Sequence, residues 1–148
     1  MRVIHVIAWI CLVLSITVNV LSFTTYRESL DREGAFVILL HGGLFLVWVP
    51  TFLLIQKECI GIERKKFWAY ALRNCPSWMK KMIGLLSLYG FPSFFLSLFF
   101  EKNLNSPWRL FSSIWIVVYS LGVGATYSYI VSKKAEPPDN ETLKNNRD

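Results

Sequence analysis

The sequence predicts an all-α membrane protein with four transmembrane helices, at about 3–25, 35–55, 82–100 and 110–131. A short amphipathic interfacial helix is expected in the second loop. Three observations carry this. Of the 148 residues, 53% are hydrophobic and only 18% charged, whereas soluble domains carry about 25% charge. The apolar residues fall into four blocks free of Asp, Glu, Lys and Arg. Each block is close to the ~20 residues that cross a hydrocarbon core about 30 Å thick. Runs such as "AFVILL" and "IWIVVY" also lack the alternation of barrel strands, and lipid admits only helices and closed barrels because it offers the backbone no other partner.

The first block follows Arg2. It outruns the roughly 7–15 apolar residues of a signal-peptide core and no A-x-A site follows, so it is expected to stay as a span. It contains Asn19. The second block contains His41 and Pro50, the third Pro92. A proline inside a helix removes one backbone bond and crowds the preceding turn, so kinks are expected at Pro50 and Pro92. Membrane helices tolerate such kinks without any site beside them. In the fourth block Ser120, Gly124 and Ser128 recur at every fourth position. This ridge of small side chains permits close helix approach and is expected to pack against the third span. Residues 132–148 are polar and Pro-containing and are expected to form a disordered tail.

Basic residues set the predicted orientation. Arg2, the second loop (Lys57, Arg64, Lys65, Lys66, Arg73, Lys80, Lys81) and the tail (Lys133, Lys134, Lys144, Arg147) hold twelve of the 16 Lys and Arg residues. The other two loops hold Arg27, Arg32, Lys102 and Arg109. Lys and Arg near span ends stay in the cytoplasm, which places both termini and the 57–81 loop there. The glycosylation pattern Asn140-Glu141-Thr142 then lies on the wrong side to be modified. Cys59 and Cys75 lie on a reducing face and Cys11 within a span, with no C-x-x-C, so no structural disulfide is expected.

The second loop contains "KKFWAYALRNCPSWMKK" (65–81). On a helix over 65–75, Phe67, Trp68, Ala71, Leu72 and Cys75 share one arc, and Lys65, Lys66 and Arg73 lie opposite. Pro76 should stop that helix at Cys75. Trp78, Lys80 and Lys81 stand at the mouth of span three, where aromatic belts form. The expected role is an interfacial helix on anionic lipid headgroups, or a dock for a membrane or cytoplasmic protein partner. Basic neighbours would lower the Cys75 pKa. The formal S-x-x-K at Ser77–Lys80 has neither S-D-N nor K-T-G as a companion. Nucleic acid is not expected, because the aromatics face away from the charges.

Ionisable groups at membrane depth are default functional candidates, and the carboxylates all lie outside the four blocks. Depth counting at 1.5 Å per residue places Asn19, His41, Ser97 and Ser113 in one polar layer. That layer reads either as interhelical hydrogen bonding or as a small-ligand or ion site. His5 and His41 are separated by on the order of 18 Å in a 30 Å core, so they do not share one haem. No cofactor is predicted, though a single-His haem or a quinone stays open.

Together "HGGLFLVWVP" (41–50) and "CPSWMKK" (75–81) resemble segments of a group of small uncharacterised bacterial four-span membrane proteins. The resemblance implies a bacterial inner-membrane setting and transfers no catalytic or binding residue. The sequence favours a non-enzymatic accessory or interaction component. Small-molecule or ion binding around His41, and a membrane redox subunit, stand as the alternatives.

Overall fold

The computed structural model describes residues 1–22, 34–58, 63, 66–100 and 107–135. Over these residues it is all-helical: α1 (Arg2–Leu21), α2 (Gly34–Glu58), α3 (Phe67–Ala71), α4 (Ser77–Phe100) and α5 (Pro107–Ala135). Helices α1, α2, α4 and α5 are long and apolar enough to cross a membrane. The expected tail beyond Ala135, Lys65, Cys59, the Asn140 motif and the loops carrying Arg27, Arg32 and Lys102 lie outside the described residues.

Helix α5 is the hub. It packs most extensively on α1 and α4, then on α2, and α1 also touches α2. Its burial follows from that position: Ser112, Ser113, Trp115, Ile116, Val117, Tyr119, Ser120, Val123, Ala125, Thr126 and Ser128 are all buried, which covers every face of the helix. A helix enclosed all round by neighbours needs small side chains where backbones approach, and α5 supplies serine, glycine, alanine and threonine there. The outer helices instead bury a single stripe. On α1 it runs Ala8, Cys11, Leu12, Ser15, Val18 and Asn19; on α2 it runs Leu40, Val47, Thr51 and Ile55. These spacings of three and four are the helical period. Their remaining faces are apolar and open, as at Ile38, Phe45, Leu88 and Phe99.

Two glycines bring α4 and the second loop against α5. A Cβ on Gly90 would fall 2.7 Å from the Ser113 carbonyl oxygen and would also strike Val117. One on Gly124 would fall 2.5 Å from Ile83 Cδ1 and 2.7 Å from Leu72 Cδ2. Pro50 and Pro92 lie inside continuous helices, and Pro92 is on the exposed side of α4. Beside Pro50, the Thr51 hydroxyl donates to the Val47 carbonyl at 2.5 Å.

The helix limits correct the sequence reading in three places. The tail expected from 132 begins later, because α5 runs on through Ser132, Lys133 and Lys134 to Ala135, with Ser132 accepting bonds from Arg73 and Asn74. Helix α4 starts at Ser77, not at 82, because the Pro76 carbonyl accepts the first bonds of the helix, from Met79 N–H (3.0 Å) and Lys80 N–H (3.1 Å). Trp78, Lys80 and Lys81 therefore ride on its first turns. The loop helix is five residues long and ends at Ala71, not at Cys75. The chain there turns, with Arg73 N–H donating to Tyr70 O and Cys75 N–H to Leu72 O, each at 3.1 Å. Asn74 and Cys75 are thereby released to bond α5.

Candidate functional site

The polar groups of the bundle collect at three levels, each pinned to α5. One end of the bundle carries the start of α1, the second loop and the C-terminal end of α5. With Arg2, Lys66, Arg73, Lys80, Lys81, Lys133 and Lys134, it is the basic end.

At the opposite end Asn19 bridges three helices. Its Nδ2 donates to Ser112 Oγ at 2.9 Å and Ser113 Oγ at 3.2 Å on α5. Tyr89 Oη on α4 donates to Asn19 Oδ1 at 2.5 Å. The Ser113 and Ser93 hydroxyls lie 3.0 Å apart. The polar layer anticipated from depth thus forms in part, with different members. Asn19 and Ser113 meet, Ser93 stands where Ser97 was expected, and Ser112 and Tyr89 complete the set. His41 is elsewhere: its ring packs edge-on to Trp115 at 4.8 Å and Phe111 at 5.5 Å between centroids. Equal depth was necessary for contact but not sufficient, since His41 points to a different side of α5.

Mid-bundle, the Tyr119 hydroxyl donates to the Leu40 carbonyl of α2 and Trp48 Nε1 donates to the Val118 carbonyl at 3.2 Å. Nearer the basic end the other histidine is fully engaged. Trp9 Nε1 donates to His5 Nε2 at 3.1 Å, and His5 Nδ1 lies 2.8 Å from Thr126 Oγ1. An indole N–H only donates, so Nε2 accepts, and the neutral ring carries its proton on Nδ1 toward Thr126. Thr126 in turn donates to Gly122 O at 2.8 Å. Sequence reasoning used His5 only to test a shared haem. The signal for its real role was Trp9 one helical turn away, a donor at the spacing that shares a face. His5 and His41 contact α5 at Thr126 and Trp115, eleven positions apart, which is about 16 Å along the helix.

At the basic end the second loop is strapped to α5. Cys75 Sγ donates to Gly124 O at 3.1 Å. The Asn74 backbone N–H donates to Ser128 Oγ at 3.2 Å, and its Nδ2 donates to Ser128 O at 3.3 Å and Ser132 Oγ at 2.8 Å. Arg73 donates to the same Ser132 hydroxyl at 3.1 Å and stacks 3.9 Å from the Tyr70 ring centroid. Lys80 Nζ donates to Arg73 O at 3.2 Å. The small ridge is therefore occupied from within the chain: Gly124 and Ser128 receive the loop, with Ile83 of α4 also at Gly124. The loop's aromatic arc packs on protein, with Phe67 against the Ile55–Ala71–Ala125 cluster. Trp68, 40% exposed, rests edge-on against Trp48 at 5.8 Å. Lys66 makes an exposed ion pair with Glu63 at 3.1 Å.

Cys75 overturns the lowered-pKa expectation. Burial pushes the thiol above its ordinary range, and Lys80 and the backbone near Ser128 pull it back only in part. The folded protein therefore resists forming a thiolate that the unfolded chain forms freely at alkaline pH. Stability from this group is complete at neutral pH and falls as pH rises past the ordinary thiol range. Maleimide labelling at neutral pH is expected to leave Cys75 unmodified in the folded protein and to modify it after unfolding in SDS. Rapid labelling of the native protein would contradict the burial.

Among the described residues no three His, Cys, Asp or Glu side chains come together as a metal site. Comparison with family models, curated proteins and solved structures returns no match.

Proposed function

We propose that this chain is a multi-pass protein of a bacterial cytoplasmic membrane, acting as a non-enzymatic accessory or interaction component, with both termini and the second loop in the cytoplasm. One observation carries the reading. Each of the nine buried polar residues among those described, from Ser15 to Ser128, makes a hydrogen bond inside the chain. Satisfied polar groups between helices rigidify a bundle; a transport path or reaction centre instead needs polar groups left for a ligand. The chemistry the chain offers its surroundings is accordingly at the basic end. Lys and Arg beside span ends favour the cytoplasmic side, and an anionic leaflet adds about 1 kcal/mol for each well-placed one. Helix α3 with Phe67 and Trp68 supports an interfacial placement in which the ring faces lie inward and the charges face the headgroups.

Cysteine-accessibility mapping tests the arrangement. With the native cysteines replaced, single cysteines at 28–33 are expected to react with an impermeant maleimide in intact cells. Those at 63–66 are expected to react only after permeabilisation. The reverse pattern would overturn the orientation.

A further inference from the structure

Where α3, α2 and α5 meet at the basic end, a shallow open cleft has Ile55, Ala71 and Ala125 as its floor and Tyr70, Arg73 and Ser132 on its walls. We infer that this cleft is a specific seat for the phosphate of one anionic phospholipid. The inference deepens the membrane reading above and rests on it.

The chemistry of the walls is that of a phosphate binder. A guanidinium offers five N–H donors in a planar fork that fits phosphate oxygens. Among the described residues Arg73 donates through Nη2 to Ser132 alone. Its plane is already fixed by the Tyr70 ring on one side and Ser132 on the other, so little side-chain freedom remains to be lost on binding. Asn74 donates to the same Ser132 oxygen, which holds that hydroxyl in place at the cleft wall. Tyr129 adds a second phenol to the lining, and no carboxylate lines the cleft among the described residues.

Size and surroundings choose the lipid over a soluble anion. The cleft has room for about one water-sized group, which suits a single unesterified phosphate oxygen with the headgroup remaining at the mouth. One turn of α2 before Ile55, Phe52 is about half exposed and packs on Phe67 of α3. It leads from the floor of the cleft along the apolar length of α2, where acyl chains would lie. A free phosphate would use Arg73 but not this flank.

Native mass spectrometry of the detergent-released protein supplies the test, with phosphatidylglycerol, phosphatidylethanolamine and inorganic phosphate as separate probes. The wild-type chain is expected to retain one phosphatidylglycerol at concentrations where phosphatidylethanolamine is lost. Arg73→Gln keeps an amide donor for Ser132 but loses the fork, and is expected to reduce the adduct at least five-fold. Ser132→Leu, which fills the cleft and removes the hydroxyl that orients Arg73 while keeping its charge, should do the same. Lys66→Gln, away from the cleft, removes only a headgroup-facing charge and should lower the adduct by less than two-fold. Equal retention of both lipids, an equal loss with Lys66→Gln, or wild-type adducts with Arg73→Gln and Ser132→Leu would each overturn the seat. Displacement of phosphatidylglycerol by millimolar inorganic phosphate would assign the cleft to a free anion and overturn it too. None of these outcomes alters the maleimide pattern, so failure of the seat is distinguishable from failure of the membrane orientation.

Discussion

Gly90→Ala is expected to destabilise the bundle by about 1–3 kcal/mol, the range for overpacking a closed interface, while the chemically identical Gly124→Ala costs less than about 1 kcal/mol. The difference lies in what the new methyl meets. At Gly90 it would stand 2.7 Å from the carbonyl oxygen of Ser113, a backbone atom inside the second turn of α5 that cannot yield without bending the hub. At Gly124 it would meet Ile83 Cδ1 and Leu72 Cδ2, the far ends of flexible side chains that can rotate away. Unfolding by SDS titration, followed through the intrinsic fluorescence of the six tryptophans, measures both. Equal losses at the two positions would mean that α4 does not approach α5 as closely as Gly90 allows.

Asn19→Leu is expected to cost about 2 kcal/mol in the same assay. Interhelical hydrogen bonds in lipid average roughly 0.6 kcal/mol and reach about 1.7. Asn19 makes one with each of Ser112, Ser113 and Tyr89. The three partners lose their bridge together, so the effect should exceed that of Ser93→Ala, which removes a single contact. Leucine keeps the branching of asparagine and is bulkier, so the loss of bonding is not compounded by the opening of a cavity. A change no larger than that of Ser93→Ala would show that the three bonds do not act as a unit.

The four long helices were legible because a charge-free run of about 20 residues has few other uses. Their limits were less so. Charge was used as the ruler, and it placed the start of span three after Lys80 and Lys81, although a helix carries lysines freely on a turn that has left the apolar zone. Pro76 is a better marker, since its carbonyl accepts the first bonds of the next helix. Among the polar residues, the pairing of Asn19 with Ser113 could be reached by counting depth. The exclusion of His41 could not, because depth says nothing about the angle at which a side chain leaves its helix. Which of the two α4 serines faces Ser113 was likewise hidden, as a one-turn offset depends on where α4 and α5 begin.

The loop and the ridge show a different kind of gap. Both were visible as patterns: the aromatic arc of Phe67, Trp68, Leu72 and Cys75, and the Ser120–Gly124–Ser128 repeat. Each pattern needs an apolar or close-packed partner, and sequence gives the need without the identity. Sequence matches the arc to lipid or a partner and the ridge to span three; Ile83 of span three does meet Gly124, and the loop shares the ridge through Leu72, Cys75 and Asn74. Cys75 illustrates the consequence, since a thiol expected among lysines is buried against Gly124, and burial outweighs charge in setting its acidity.

The hub is also the last of the described helices, and this governs the order in which their contacts form. Asn19 waits for Ser112, 93 positions later, and His5 waits for Thr126, 121 positions later. At roughly 5–20 residues per second of synthesis, Asn19 waits on the order of 5–20 s for its α5 serines, with Tyr89 of α4 as the side-chain partner that arrives earlier. His5 has Trp9 of its own helix from the start. A chain that has reached only Pro107 therefore holds each polar group by part of its native set, and the bridges across the bundle close when α5 is added.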